Sequence, residues 1–161
     1  MDSKNLILRR AEKKDSKEIA VILEQGYSIE SIEEGIQVFE SEKSKGWNFI
    51  VAIVDEKVVG LVSWAMKGLP RHGLIELDRI AVLPEFRGKD IARKLFDVLE
   101  ENAKQFFELN KGKLRKLFLF THEDNSRAIS FYEKMGMQKD AVLKDHYYNG
   151  RNEIVMRKFF R

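Results

Sequence analysis

One stretch of the chain constrains the fold most, because it reads as a strand, a glycine-bearing loop and a helix in succession. An apolar-rich run that begins at Leu74 stops at Pro84, a short charged loop carries Gly88, and apolar residues recur at helical spacing from Ile91 onward. The first N–H groups of such a helix lack carbonyl partners and carry partial positive charge, so they form a ready site for an anion such as phosphate. Since glycine is common in turns for steric reasons alone, an ordinary turn is the alternative interpretation.

The first part of the chain predicts two helices. Asp15 and Glu18 have the spacing of a capping box at the start of the first helix, and Gly26 ends it. Ser28 or Ser31 begins a second helix, whose acidic outer face is typical of a solvated surface.

Strands are predicted on both sides of these helices. Residues 6–8 read as a short first strand. Residues 47–54 and 57–66 are apolar, β-branched runs separated by two acidic residues, a pattern typical of a β-hairpin.

The last third of the chain predicts a strand, a helix and a second hairpin. Residues 117–121 form a buried strand, and Asn125 caps a helix that Gly136 terminates. An Asn-Gly pair then turns a hairpin between residues 137–148 and residues 152–160.

The predicted order of elements is β-α-α-β-β-β-α-β-α-β-β. Hairpins mixed with crossover helices indicate the α/β class, with a mixed central sheet of about seven strands and about four helices. With 161 residues, 43% of them hydrophobic, the chain is long enough for one ordinary domain and too short for two. We therefore expect a single domain over residues 1–161.

Composition excludes several classes of site. The chain contains no cysteine, which excludes a disulfide scaffold, a thiolate nucleophile and a cysteine zinc site. No run approaches the roughly 18 apolar residues that a membrane span needs, and the first five residues have no long apolar core. We expect a soluble, cytoplasmic protein with no metal and no membrane partner.

Charge is distributed unevenly, although the formal net charge is only +3. Residues 1–80 carry 12 basic and 14 acidic groups and residues 81–161 carry 17 and 12, so the two parts have net charges of −2 and +5. The basic groups of the second part are interspersed with acids, and no nucleic-acid motif accompanies them. A polyanionic cofactor is therefore expected rather than a nucleic acid.

Two separated motifs carry a resemblance to a known family. The first reads Val-Leu-Pro-Glu-Phe-Arg-Gly-Lys-Asp-Ile-Ala over residues 82–92, and the second, some 33 residues later, reads Asn-Ser-Arg-Ala-Ile-Ser-Phe-Tyr-Glu-Lys-Met-Gly over residues 125–136. In composition and order they resemble the GNAT superfamily of acetyl-CoA-dependent N-acetyltransferases, over roughly residues 48–160. The resemblance implies the element order above, with the fourth and fifth strands splayed to admit the pantetheine arm of acetyl-CoA.

The first motif departs from the family at one position. Arg87, Gly88, Ile91 and Ala92 match, but Asp90 stands where a second glycine is usual. Aspartate lacks the freedom of glycine at positive φ and adds a negative charge near the expected pyrophosphate. We interpret Asp90 as lying in the first turn of the helix, with its carboxylate turned away and neighbouring cations outnumbering it.

The resemblance also implies how acetyl-CoA, the expected cosubstrate, is held. Main-chain N–H groups of the first motif would bind the pyrophosphate, and the end of the preceding strand would pair with the pantetheine amides as another strand would. Asn125 matches a cofactor contact and also has the position of a helix N-cap. The expected contacts are Ile80, Ala81, Val82, Arg87, Gly88, Lys89, Asp90, Ile91, Ala92, Arg93, Asn125 and Tyr132.

Transfer to an amine needs an acid for the departing thiolate and a base for the attacking ammonium. Tyr132 matches the tyrosine that the family often uses as general acid, since a phenol with a pKa of about 10 is protonated at neutral pH; a core aromatic is the alternative. Glu76 and Asp78 lie two apart on one strand and share a face. Either could accept the proton directly or through water, and we favour Glu76; the alternative is that both are surface or salt-bridged carboxylates. His122 is a further candidate, for which a structural role is the alternative.

The acceptor is inferred from the last hairpin. Tyr147 and Tyr148 resemble the tyrosine-bearing hairpin of ribosomal-protein and other N-terminal acetyltransferases, which implies that they bind the acceptor; packing within the hairpin is the alternative. Phe120 stands where the bacterial ribosomal-protein enzymes carry a glutamate base. We expect an N-acetyltransferase for a protein or peptide N-terminus, a lysine or a polyamine-like amine. A non-catalytic acyl-CoA-binding regulatory module is the alternative, and a homodimer is left open.

Overall fold

The computed structural model describes residues 5–161; Met1 to Lys4, part of the N-terminal stretch considered above, lie outside the described residues. The helices and strands follow the predicted order. They are β1 (Leu6–Arg10), α1 (Ser16–Gly26), α2 (Ile32–Ser44), β2 (Asn48–Val54), β3 (Lys57–Lys67), β4 (Leu74–Val82), α3 (Ile91–Leu109), β5 (Lys116–His122), α4 (Ser126–Lys134), β6 (Gln138–Tyr148) and β7 (Arg151–Phe159).

The seven strands form one mixed sheet in the order β1-β2-β3-β4-β5-β7-β6. The first three strands are antiparallel, β4 pairs in parallel with β5, and β7 lies antiparallel between β5 and β6. The parallel ladder joins residues 74–76 to residues 116–118, although both strands continue beyond it. The sheet, the four helices and their order confirm the predicted fold, and the short ladder agrees with splayed fourth and fifth strands.

The described residues group into two compact units. The first contains residues 5–65 and 79–102, and the second contains residues 66–78 and 103–161. Within residues 5–161, no helix is long and apolar enough to cross a membrane.

In the first unit, the two N-terminal helices approach each other closely at a glycine. A Cβ atom on Gly35 of α2 would lie 2.8 Å from the Cβ of Ala20 of α1, so a larger residue would force the helices apart. Ser31 begins α2, because its hydroxyl accepts the N–H of Glu34 at 3.1 Å. The prediction of a start at Ser31 is therefore confirmed, with Ser28 outside the helix.

The predicted capping box at the start of α1 is wrong. The Asp15 carboxylate binds the Arg9 guanidinium with two hydrogen bonds of 2.8 and 3.0 Å and accepts the N–H of Glu12 at 2.7 Å. The hydrogen bond from Arg9 holds the pKa of Asp15 below its usual value. Glu18 instead accepts the N–H of Val58 at 2.9 Å. Asp15 therefore binds groups that shortly precede it in the chain, and Glu18 binds a strand 40 positions away, so neither carboxylate caps α1.

In the second unit, the start and end of α4 agree with the sequence. The Asn125 side chain accepts the N–H of Ala128 at 3.1 Å, and Gly136, with φ of +91°, follows the helix. This confirms Asn125 as the N-cap.

The last hairpin contains a bulge that the sequence did not predict. Residues 144–147 of β6 stand opposite the single residue Asn152 of β7. Asp145 adopts φ of +48°, and its carboxylate accepts the N–H of Gly150 at 2.7 Å. Since a bulge interrupts the alternation of a strand, it changes where the side chains of residues 144–147 are directed.

Candidate active site

The loop before α3 and the first turn of that helix form the glycine loop (residues 87–93). Gly88 has φ of +77° and open space where a Cβ atom would be, so a ligand can approach its main chain closely. The first helical hydrogen bond runs from the N–H of Lys94 to the C=O of Asp90 over 3.1 Å. The amides of residues 91–93 precede this bond and carry the partial positive charge of a helix N-terminus.

Asp90 has a different backbone conformation from the one we predicted. It lies just before Ile91, the first residue of α3, and its φ of +67° is in the left-handed region. The placement of Asp90 in the first helical turn is therefore wrong. Its backbone adopts the conformation that a glycine reaches without strain, at a cost of about 1–2 kcal/mol for other residues. Its side chain is exposed.

The end of β4 offers one main-chain edge on the side away from β3. The N–H of Leu83 donates to the C=O of Val59 in β3 over 2.8 Å. Because main-chain groups of successive strand residues point to opposite edges, Ala81 also faces β3, whereas Ile80 and Val82 face the other edge. This outer edge of β4 is where a strand-like ligand would pair.

Two side chains engage the outer edge of β4. The Tyr27 hydroxyl accepts the N–H of Ile80 at 2.8 Å and donates to the C=O of the same residue at 3.1 Å. The Nε–H of Arg87 donates to the C=O of Val82 at 3.1 Å. Main-chain groups expected to contact the cosubstrate therefore bind side chains of the protein itself.

Neighbouring groups hold the Tyr27 ring in place. Tyr27 directly follows α1 and is half-buried. The guanidinium of Arg79 lies 5.6 Å from the centre of its ring, and that guanidinium donates to Glu42 of α2 over 2.6 Å. Glu42 of the predicted solvated acidic face thus has a structural partner.

In the second unit, the charges of three carboxylates act on one phenol. Partial burial raises the pKa of Tyr147, and the negative charges of Glu153, Glu76 and Asp78 raise it further. We call these four residues the carboxylate cluster. Glu76 and Asp78 act on the same phenol, as expected for residues two apart on a strand. Such a concentration of negative charge attracts a cationic ligand.

Glu76 has a cationic neighbour that sequence reasoning missed. The ammonium of Lys67, at the end of β3, lies 3.2 Å from the Glu76 carboxylate, whose side chain is only 12% exposed. Glu76 therefore forms a salt bridge with Lys67, as its alternative interpretation predicts.

His122 is paired rather than isolated. It stands directly opposite Glu153 in the register of β5 and β7, and its Nδ1 contacts the carboxylate of that buried residue. Among residues 5–161, no three histidine, aspartate or glutamate side chains are arranged to hold a metal ion.

Aromatic side chains lie beside the carboxylate cluster. The centre of the His146 ring, in the bulge, lies 4.7 Å from the ring centre of Tyr147 and 6.0 Å from that of Phe120. The ring centres of His122 and Tyr148 lie 6.2 Å apart. Tyr147 and Tyr148 remain 62% and 53% exposed, so they do not form part of the core and their surfaces are open to a ligand.

Tyr132 is buried in α4. It is 8% exposed, and its ring packs edge-on against Phe131 with centres 5.4 Å apart. Tyr132 therefore occupies a core position, and Asn125 acts as a helix N-cap. Their parts in catalysis and cosubstrate binding stay predictions.

Comparison with known proteins decides the family. The profile of the acetyltransferase (GNAT) family matches residues 16–137, a span that contains the glycine loop and most of both units. The chain belongs to the GNAT family. It is accordingly an acyltransferase that depends on acetyl-CoA, which confirms the resemblance stated above.

Relatives within the GNAT family act on different amines. An N-alpha-acetyltransferase of Saccharolobus solfataricus is 35% identical over 127 residues, 73% of this chain and 72% of the relative. A spermine/spermidine N(1)-acetyltransferase of Bacillus subtilis is 26% identical over 59% of this chain and 62% of its own length. An aminoglycoside 6'-N-acetyltransferase solved with coenzyme A shares the fold, with a TM-score of 0.80, 16% identity and coverage of 95% and 96%.

Several residues near the candidate site were not identified from the sequence. They come from strands and loops far apart in the chain, so no local motif marks them. The clearest signal was that Tyr27 is an aromatic residue directly after a helix-ending glycine. The missed residues are Tyr27, Lys67, Arg79 and Glu153.

Proposed function

We propose that the protein transfers the acetyl group of acetyl-CoA directly to a primary amine. The observation that carries the proposal for the acceptor is the carboxylate cluster, because Tyr147 is exposed, the charges of three carboxylates act on it, and negative charge attracts a cationic amine. We propose the α-amine of a protein or peptide first, with a lysine or a polyamine-like amine next. The named N-alpha and spermine/spermidine acetyltransferases among its relatives support this range.

The glycine loop is proposed to hold the pyrophosphate of acetyl-CoA. The amides at the start of α3 and the open main chain at Gly88 have the chemistry that a diphosphate requires. Arg87, Lys89 and Arg93 add positive charge. Ile80 and Val82 offer main-chain groups to the pantetheine amides on the outer edge of β4.

In the proposed reaction, the neutral amine attacks the thioester carbonyl carbon, so that a C–N bond forms and the C–S bond breaks. Tyr132 donates its phenolic proton to the departing thiolate, and the phenol is restored by the proton that the newly acylated nitrogen loses. Glu76, or Asp78 beside it, accepts the proton that the ammonium form of the acceptor must lose. Tyr147 and Tyr148 line the path of the acceptor.

We further propose that residues 1–161 constitute one acetyltransferase domain and that the protein works in the cytoplasm. The family match over residues 16–137 supports the first point. The absence of cysteine fits a reducing compartment.

Thiol release tests the proposed function. We expect turnover of acetyl-CoA with unblocked peptides, and a smaller rate or none with the same peptides acetylated at the N-terminus; spermidine serves as the polyamine probe. Release of CoA with none of these amines, while acetyl-CoA binds, would contradict the proposed acceptors.

A further inference from the structure

Tyr27 occupies main-chain groups that the proposed function assigns to acetyl-CoA. One phenol satisfies both the donor and the acceptor of Ile80, at 2.8 and 3.1 Å. These groups lie on the outer edge of β4, beyond the three residues that pair with β5. The Ile80 N–H cannot donate to a pantetheine carbonyl while it donates to the Tyr27 hydroxyl, and the Ile80 C=O already accepts one hydrogen bond.

We propose that Tyr27 is a latch that must leave Ile80 before the pantetheine arm pairs with β4. This inference rests on the proposed function, because it takes Ile80 as a cosubstrate contact. A ligand that binds only the unlatched form shifts the population toward it, and its apparent affinity is reduced by the fraction of latched protein.

Tyr27 lies between α1 and α2 in the first unit. Its N–H donates to the C=O of Leu23 in α1 over 3.0 Å, and its C=O accepts the N–H of Ile29 over 2.8 Å. These two hydrogen bonds hold the main chain of Tyr27 at the junction between α1 and α2, so the phenol leaves Ile80 by rotation of the side chain. Arg79, above the ring and tied to Glu42, opposes that movement.

The substitution Tyr27→Phe tests the latch, because it removes the hydroxyl and keeps the ring. The dissociation constants of two probes are measured by calorimetry: acetyl-CoA, and adenosine 3′-phosphate 5′-diphosphate, which is the nucleotide end of CoA without pantetheine. In the variant, the two hydrogen bonds of the Tyr27 hydroxyl no longer compete with pantetheine for Ile80. We expect acetyl-CoA to bind about three- to tenfold more tightly, with no change for the nucleotide.

Arg79→Met is the matched variant, since it removes the guanidinium above the ring and leaves the hydroxyl. We expect a change in acetyl-CoA affinity in the same direction and smaller. Hydrogen exchange at the Ile80 amide gives a second readout. We expect this amide to be protected in the wild-type protein without ligand and unprotected in Tyr27→Phe. Addition of acetyl-CoA should restore protection in the variant.

The outcomes separate the latch from the proposed function. Unchanged or weaker binding of acetyl-CoA by Tyr27→Phe, with normal binding of the nucleotide, overturns the latch and leaves the acetyltransferase proposal standing. If wild-type protein binds neither probe, the proposed cosubstrate site fails and the latch fails with it.

Discussion

The glycine loop and the carboxylate cluster are built in different ways. The loop relies on main-chain groups, on positive φ angles at Gly88 and Asp90, and on the start of α3. The cluster relies on side chains from β4, the bulge of β6, and β7. A main-chain site tolerates changes of side chain, whereas replacing a carboxylate of the cluster by its amide removes a negative charge. The comparison teaches that cosubstrate binding and acceptor choice should respond to different mutations.

The largest effect is expected at Tyr132. Tyr132→Phe removes the proposed acid and keeps the packing of the ring, so kcat should fall about a hundredfold or more. The affinity for acetyl-CoA should fall far less, because Tyr132 is one of many expected cosubstrate contacts. Steady-state kinetics and calorimetry measure the two quantities, and thermal unfolding verifies the fold. A kcat equal to that of wild type would remove the catalytic role and leave Tyr132 as a core residue.

The carboxylate cluster should control the acceptor alone. In Glu76→Gln combined with Asp78→Asn, we expect kcat/KM for the amine to fall at least about tenfold, which corresponds to about 1.4 kcal/mol. The KM for acetyl-CoA should not change. Asp124→Asn is the matched control, because this carboxylate of the second unit is exposed and forms a surface salt bridge with Arg151. An equal loss in the control would show a general charge effect.

Asp90→Gly should strengthen the glycine loop. The substitution relieves the backbone strain of Asp90 at φ of +67°, so we expect the free energy of unfolding to rise by about 1 kcal/mol. It also removes a negative charge near the proposed pyrophosphate site, so CoA should bind several-fold more tightly. Lys111→Gly is the matched control, since Lys111 has φ of +59° outside the site. It should gain similar stability with unchanged CoA affinity. Weaker CoA binding by Asp90→Gly would mean that the aspartate contributes to the site.

The smallest effect concerns the ionisation of Tyr147. Its pKa is raised in the folded protein, so folding favours the protonated phenol, and this contribution to stability is lost as the pH rises above the unfolded value of about 10. Absorbance titration against Tyr147→Phe isolates this group. Glu76→Gln combined with Asp78→Asn should lower the pKa of Tyr147, while burial and Glu153 keep it above its ordinary value. No change would place the two carboxylates away from the phenol.

The order of elements and the glycine loop could be predicted because local patterns encode them. Apolar periodicity marks the strands and helices, and Ser31, Asn125 and Gly136 mark helix ends through contacts within a few residues. The family motif fell on the same loop, because the positive φ at Gly88 and the start of α3 depend on residues that are close together in the chain.

The rest depends on contacts between distant residues. Glu18 accepts the N–H of Val58 across 40 positions of the chain instead of capping α1, and Tyr27 reaches Ile80 across 53 positions. The bulge in β6 depends on the pairing with Asn152. Local spacing contains no signal for such partners, so the carboxylate cluster was predicted only in part and the latch not at all.

Amide chemical-shift mapping tests the central claim most directly. The protein is labelled with ¹⁵N and titrated first with CoA and then with an unblocked peptide. We expect CoA to shift the amides of residues 80–93 most strongly, and the peptide to shift residues of β6 and β7 around Tyr147. Shifts by CoA that leave residues 87–93 unaffected would contradict the assignment of the glycine loop to the cosubstrate.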